Sequence, residues 1–108
     1  MSFSHSSLTS AAEEAARSLQ DGKWERAASL AERLLALDGS DASAHYIAGL
    51  ANQEMKRMPQ ALTHLHLASH SAPRRAGIGA SYARALASVR LSREALAEAD
   101  RVMALQPA

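Results

Sequence analysis

Shifting the chain against itself by 34 residues lays Ala27 on Ala61 and Ala61 on Ala95, and the positions seven further on, Leu34, Ala68 and Val102, again coincide as apolar residues. The same shift aligns Ala15, Gly49 and Ala83 as a column of small residues. It also sets Pro73 and Pro107 at segment ends where the first copy has Gly39, and two periods bring Leu37 onto Leu105. A fixed period of this length marks stacked supersecondary units, none of which can bury its apolar face alone. Three copies fit, over residues 8–41, 42–75 and 76–108, with residues 1–7 as a flexible N-terminal tail.

Inside each copy the apolar residues follow helical spacing twice, with a short polar break between the two runs. In the first copy Leu8, Ala11, Ala12, Ala15 and Leu19 form one stripe, Asp21-Gly22-Lys23 interrupts it, and Ala27, Leu30, Ala31, Leu34 and Leu35 form the next. Ser10-Ala11-Ala12-Glu13 has the pattern of a capping box near the first helix start. In the second copy Tyr46, Gly49 and Leu50 precede a break at Lys56-Arg57-Met58, and Pro59 suits the first turn of the next helix. In the third, Tyr82, Ala83 and Leu86 run to a break near Leu91, with Ser92 as the expected N-cap. The spacing predicts six helices, near 8–21, 24–37, 42–55, 59–71, 76–89 and 93–105. Composition agrees: 25 of the 108 residues are alanine and only 4% are aromatic, which favours helices packed closely through small side chains and excludes a β-sandwich.

The joint spacing resembles the tetratricopeptide repeat family, a 34-residue helix-turn-helix unit with small residues where its two helices cross and proline at its end. The resemblance spans residues 8–108. It rests on Ala15/Gly49/Ala83, Ala27/Ala61/Ala95, Ala68 and Pro73/Pro107, with Gly22-Lys23-Trp24 similar to the inter-helix turn of that family. The chain departs from the pattern at Glu14 and Ser18, at His45 and Asn52, and at Gly79, where bulky apolar residues are usual. The fold this implies is an all-α, right-handed solenoid of three helix-turn-helix repeats. Its inner wall would be made by the first helix of each repeat, and a peptide or partner helix would lie in that concavity.

By that resemblance the groove is lined by Ala12, Ala16 and Leu19 from the first copy, Tyr46, Leu50 and Gln53 from the second, and Ala80, Arg84 and Ala87 from the third. The expected partner-binding residues are Leu19, Tyr46, Leu50, Gln53 and Arg84, with Tyr46 as an anchor and Arg84 as an orienting charge. One subclass of the family grips the terminal carboxylate of chaperone tails with Lys and Asn. The equivalent places here hold Ala12, Ala16, Ile47, Gly77 and Ser81, so heat-shock chaperone tails are not expected as partners.

Other chemistries have weaker support. His66 and His70 stand four apart, a spacing that could chelate a divalent ion, but Ala61, Leu62, Leu65 and Ala68 already supply the buried stripe of that helix and a third ligand is missing, so no metal is expected. Gly77-Ile78-Gly79 follows Pro73-Arg74-Arg75 rather than a strand and lacks the third glycine of a phosphate-binding loop. No nucleophile-elbow motif occurs, and neither catalysis nor a cofactor is expected. Trp24 is expected in the core, His45 as a partly packed helix residue, and Phe3 against the first helix or in the tail. The chain has no cysteine, and its 12 Lys and Arg against 11 Asp and Glu give a net charge of +1, too weak a field to gather nucleic acid or anionic lipid. The copies differ: seven acidic residues stand against four basic ones in the first, one against four in the second, and three against four in the third. An anion site at Arg74, Arg75 and Arg84 competes with a solvated inter-repeat loop, which is the favoured reading. No apolar run is long enough to span a bilayer, and a cytoplasmic location is expected.

These observations point to a noncatalytic scaffold or adaptor that binds a protein segment. The alternative is an N-terminal regulatory or substrate-positioning module of a larger bacterial enzyme, such as a sulfotransferase or glycosyltransferase. At the C-terminal end, Ala95, Ala99 and Val102 should turn toward their partner helix, leaving Leu96, Met103 and Leu105 facing the place where a further repeat would stack. Either self-association through that end, or a native chain that continues and covers it, is expected.

Overall fold

The computed structural model describes residues 5–105, with side chains for residues 10–105 other than Ser92. Six helices succeed one another: α1 (His5–Gln20), α2 (Trp24–Leu37), α3 (Ala42–Glu54), α4 (Met58–Ser71), α5 (Ala76–Ser88) and α6 (Ser92–Met103). Each packs against the next in the chain, and α1 also touches α3, so the three hairpins stack into a right-handed α-solenoid 48 × 32 × 22 Å across.

The expected helices are all present, with differences at their ends. Helix α1 begins at His5, so the tail expected over 1–7 overlaps its first turn. Ser10 consequently lies inside α1 and is not the start of a capping box. At α6 the N-cap is Leu91 and Ser92 is the first helical residue. A true side-chain cap stands at Asp41, whose carboxylate accepts from the Ala44 N–H at 3.1 Å and so satisfies one of the orphan donors of α3. Phe3 lies outside the described residues.

The three intra-repeat turns share one geometry. Lys23, Arg57 and Leu91 each donate a backbone N–H across the helix end to Ser18, Asn52 and Leu86, while Gly22, Lys56 and Arg90 donate to Leu19, Gln53 and Ala87. This is the Schellman closure, and it needs a left-handed residue at its second-last place. Gly22 supplies φ +75° there, whereas Lys56 and Arg90 adopt φ 63° and 64°.

Alanine columns form the helix crossings. Ala15, Ala27, Ala31, Ala48, Ala51, Ala61, Ala68 and Ala85 are wholly buried, with Leu30, Leu34, Ile47, Leu65, Ile78 and Leu86 filling the space between them. A Cβ on Gly49 would lie 2.7 Å from Leu65 Cγ, and one on Gly79 would collide with Val102 Cγ2 and the Arg101 guanidinium. The departure from the family pattern at Gly79 therefore has a cause: α6 comes too close to admit a side chain. The other polar departures are also accommodated. Buried Asn52 donates to the Ala48 carbonyl at 2.7 Å, and Glu14 pairs with Arg26 of α2. No buried side-chain nitrogen or oxygen lacks a partner among the described residues.

Candidate partner-binding surface

The family resemblance expects α1, α3 and α5, the first helices of the hairpins, to form the wall. Tyr46, Leu50 and Gln53 recur on α3 at intervals of four and three residues and therefore share a face. All three are half-buried. The phenol of Tyr46 and the hydroxyl of buried Ser81 on α5 are hydrogen-bonded at 2.8 Å. Arg84, one turn further along α5, donates to the same Ser81 oxygen at 3.2 Å. Ser81 thus brings together Tyr46 and Arg84, two residues expected at the site, although no motif in the sequence marks Ser81 itself. Arg75, the N-cap of α5, donates to Ser43 Oγ on α3 at 2.9 Å.

Leu19 stands apart from this group. It is half-buried and packs against the core formed by α1, α2 and α3. Ala12 is exposed rather than part of the buried stripe, as are Ala16 and Ala87, while Ala80 is half-buried. The expected lining is therefore small and apolar on α1, with an aromatic group on α3 and a cationic one on α5. Among the described residues neither Arg75 nor Arg84 makes an ion pair.

Polar contacts join the second helices across the repeat boundaries. Between the first and second repeats, Arg57 reaches Glu25 at 2.8 Å and His64 Nε2 reaches Glu32 at 3.1 Å. Between the second and third, Ser69 donates to Glu98 at 2.9 Å, and Arg101 donates to Glu98, to Ser69 and to the Pro73 carbonyl. Burial pushes the Glu98 carboxyl up, but the hydrogen bonds from Arg101 and Ser69 outweigh it and hold the group below the usual carboxylate range. A cleft of about 260 Å³ opens beside this junction, lined by His66, His70, Tyr82 and Arg101 among others. His66 and His70 are exposed, and the Tyr82 hydroxyl lies 3.2 Å from His66 Nδ1. Among the described residues no group of three or more His, Cys, Asp or Glu side chains is arranged to hold a metal ion.

Trp24 is half-buried against the first core rather than within it. Arg74 and Arg75 are exposed. At the C-terminal end Leu96 and Met103 are 66% and 67% exposed and Leu105 is 37% exposed, whereas Ala95 and Val102 face inward.

Among solved structures the chain resembles MamA, a helical-repeat protein of tetratricopeptide type. It superimposes on "MamA 41-end from Desulfovibrio magneticus RS-1" with a TM-score of 0.85 at 18% identity, covering 91% of this chain and 55% of that one. An RS-1 MamA double mutant gives 0.86 at 18% identity with the same coverage, and "MamA MSR-1 C2" gives 0.79 at 16%, covering 91% and 56%. The likeness is one of fold, and the chain spans about half the length of those proteins. No protein-family model and no curated protein matches the sequence. Among the described residues no helix is long and apolar enough to cross a membrane.

Proposed function

We propose that the chain is a noncatalytic protein-interaction scaffold that holds a peptide or partner helix along the wall formed by α1, α3 and α5. The observation that carries this reading is the grouping of Tyr46, Ser81 and Arg84 beside half-exposed Leu50 and Gln53. An aromatic anchor, an apolar neighbour and an arginine without an acidic partner suit an amphipathic segment bearing a carboxylate, with affinity concentrated in a few such groups. The helical-repeat likeness to MamA supports a binding role in general terms.

The test compares variants of the immobilised chain for the partners they retain from a native lysate. Tyr46→Ala and Leu50→Asp should each weaken retention at least tenfold while the helical circular dichroism signal stays within a few per cent of wild type. His66→Ala should change neither. Loss of retention in His66→Ala and His70→Ala, with Tyr46→Ala unaffected, would move the binding surface to the face that carries the histidines.

A further inference from the structure

His45 occupies a place that Ala11 and Gly79 hold in the other two repeats, so the second repeat alone carries a large polar group there. It is 6% exposed. Its Nε2 lies 2.8 Å from the Gly39 carbonyl, and its Nδ1 lies 3.0 Å from Nδ1 of His64 on α4. His64 Nε2 in turn lies 3.1 Å from a carboxylate oxygen of Glu32 on α2. The two rings are 5.2 Å apart and tilted by 38°. A single chain of polar contacts therefore runs from the turn between the repeats through α3 and α4 to α2.

Counting hydrogens along this chain restricts its charge. The Gly39 carbonyl can only accept, so His45 Nε2 carries a hydrogen. The ionised Glu32 carboxylate can only accept, so His64 Nε2 carries one too. The two Nδ1 atoms at 3.0 Å need one hydrogen between them. Three hydrogens on two imidazoles amount to one positive charge, which Glu32 balances. With two hydrogens, one contact becomes a pair of facing lone pairs or a lone pair facing a carboxylate. With four, two N–H groups meet head-on and two cations share a largely dry site.

We propose that His45 and His64 share one proton between their Nδ1 atoms and, with Glu32, form a proton-operated latch between the first and second repeats, closed when the pair is singly charged and opened by a second proton. The charged and titratable neighbours are few. Helix α2 presents Glu32 and α3 presents His45. In the turn between them Asp38 is held by Ser40, and Asp41 caps Ala44. Burial lowers the His64 pKa below the ordinary imidazole value of 6.5, Glu32 pulls it back up, and a positive charge on His45 lowers it further, so a proton already held by the pair opposes a second. The unfolded histidines take up the second proton near pH 6.5 while the folded pair resists it, so the stability is lost as pH falls from about 6.5 through the lower, folded value. The latch does not depend on what the wall of α1, α3 and α5 binds.

Nitrogen-15 and proton NMR of the imidazoles in the full chain, with a chelator present, tests the latch. At neutral pH both Nε2 atoms should be protonated, and one strongly downfield Nδ1 proton should couple to both rings. Glu32→Gln keeps an acceptor but removes the charge, and should abolish that shared signal at neutral pH. Melting followed from pH 6.5 to pH 5 should show Tm falling by a few degrees, because the folded pair resists a second proton that the unfolded histidines accept. His64→Gln should remove that fall. Two rings that titrate independently at the ordinary imidazole pH, or a fall in Tm that persists in His64→Gln, would overturn the latch. So would zinc ions raising Tm in the wild type and not in His64→Gln, which would place a metal rather than a proton between the rings.

Discussion

Ala61 shows how little freedom a single position has where helices cross. It is completely buried, within the stripe that includes Leu65 and Ala68 on α4, and its column recurs as Ala27 and Ala95. A longer side chain has nowhere to go, and a charged one would lose its water with no partner in reach. Ala61→Glu should therefore cost about 3 kcal/mol or more and lower Tm by about 10–20 °C in a domain of this size. Calorimetry checks it, and a Tm within a few degrees of wild type would remove Ala61 from the crossing. Gly79 works by the same principle from the opposite side, since the missing Cβ is what lets α6 approach.

At the scale of the element, the three turns share one hydrogen-bonded closure, and a glycine stands at its left-handed position in the first alone. Glycine adopts that conformation freely, whereas other residues carry a penalty of about 1–2 kcal/mol in it. Gly22 is thus suited to its place, while Lys56 and Arg90 hold φ near 63° because the hydrogen bonds around them require it. Both are exposed, so removing their side chains leaves no cavity. Lys56→Gly and Arg90→Gly should each raise stability by about 0.5–1 kcal/mol, with the gain offset in part by the added freedom of glycine in the unfolded chain. Urea titration of the single and double variants should show near-additive shifts in midpoint, because the turns lie in different repeats. A lowered midpoint in either variant would show that its side chain contributes more than the turn strain removes.

For the whole molecule, stability in a stacked array is a sum of repeat terms and junction terms. The residues that meet the next repeat from α4 are His66, which contacts Tyr82, and Ser69, which donates to Glu98. One period on, those places are Asp100 and Met103, and Leu96 lies one turn before Asp100. The exposed stripe of Leu96 and Met103 therefore occupies the column that, one repeat earlier, is covered by the following hairpin. Burying it against a second copy would form a further junction of the same kind. Sedimentation across a concentration series should show self-association of the wild type that weakens at least tenfold in Leu96→Glu/Met103→Glu. A wild type that stays monomeric at the highest concentrations would dismiss this role for the stripe.

The 34-residue period and its two helical stripes determined the number of helices, their order and their limits to within three residues, because small residues at crossings and polar breaks at turns act through neighbours close in the chain. The face of α3 bearing Tyr46, Leu50 and Gln53 was legible for the same reason, since spacing along one helix decides which residues share a side. What depended on tertiary structure was every contact between side chains distant in sequence. Ser81 joining Tyr46 to Arg84, and the run from Glu32 through His64 and His45 to Gly39, link residues on different helices whose meeting is set by how the hairpins dock. The departures at His45, Asn52 and Gly79 were visible in the sequence as breaks in a pattern. Their meaning was not, because a buried polar group or a missing Cβ is explained only by the atoms that pack against it.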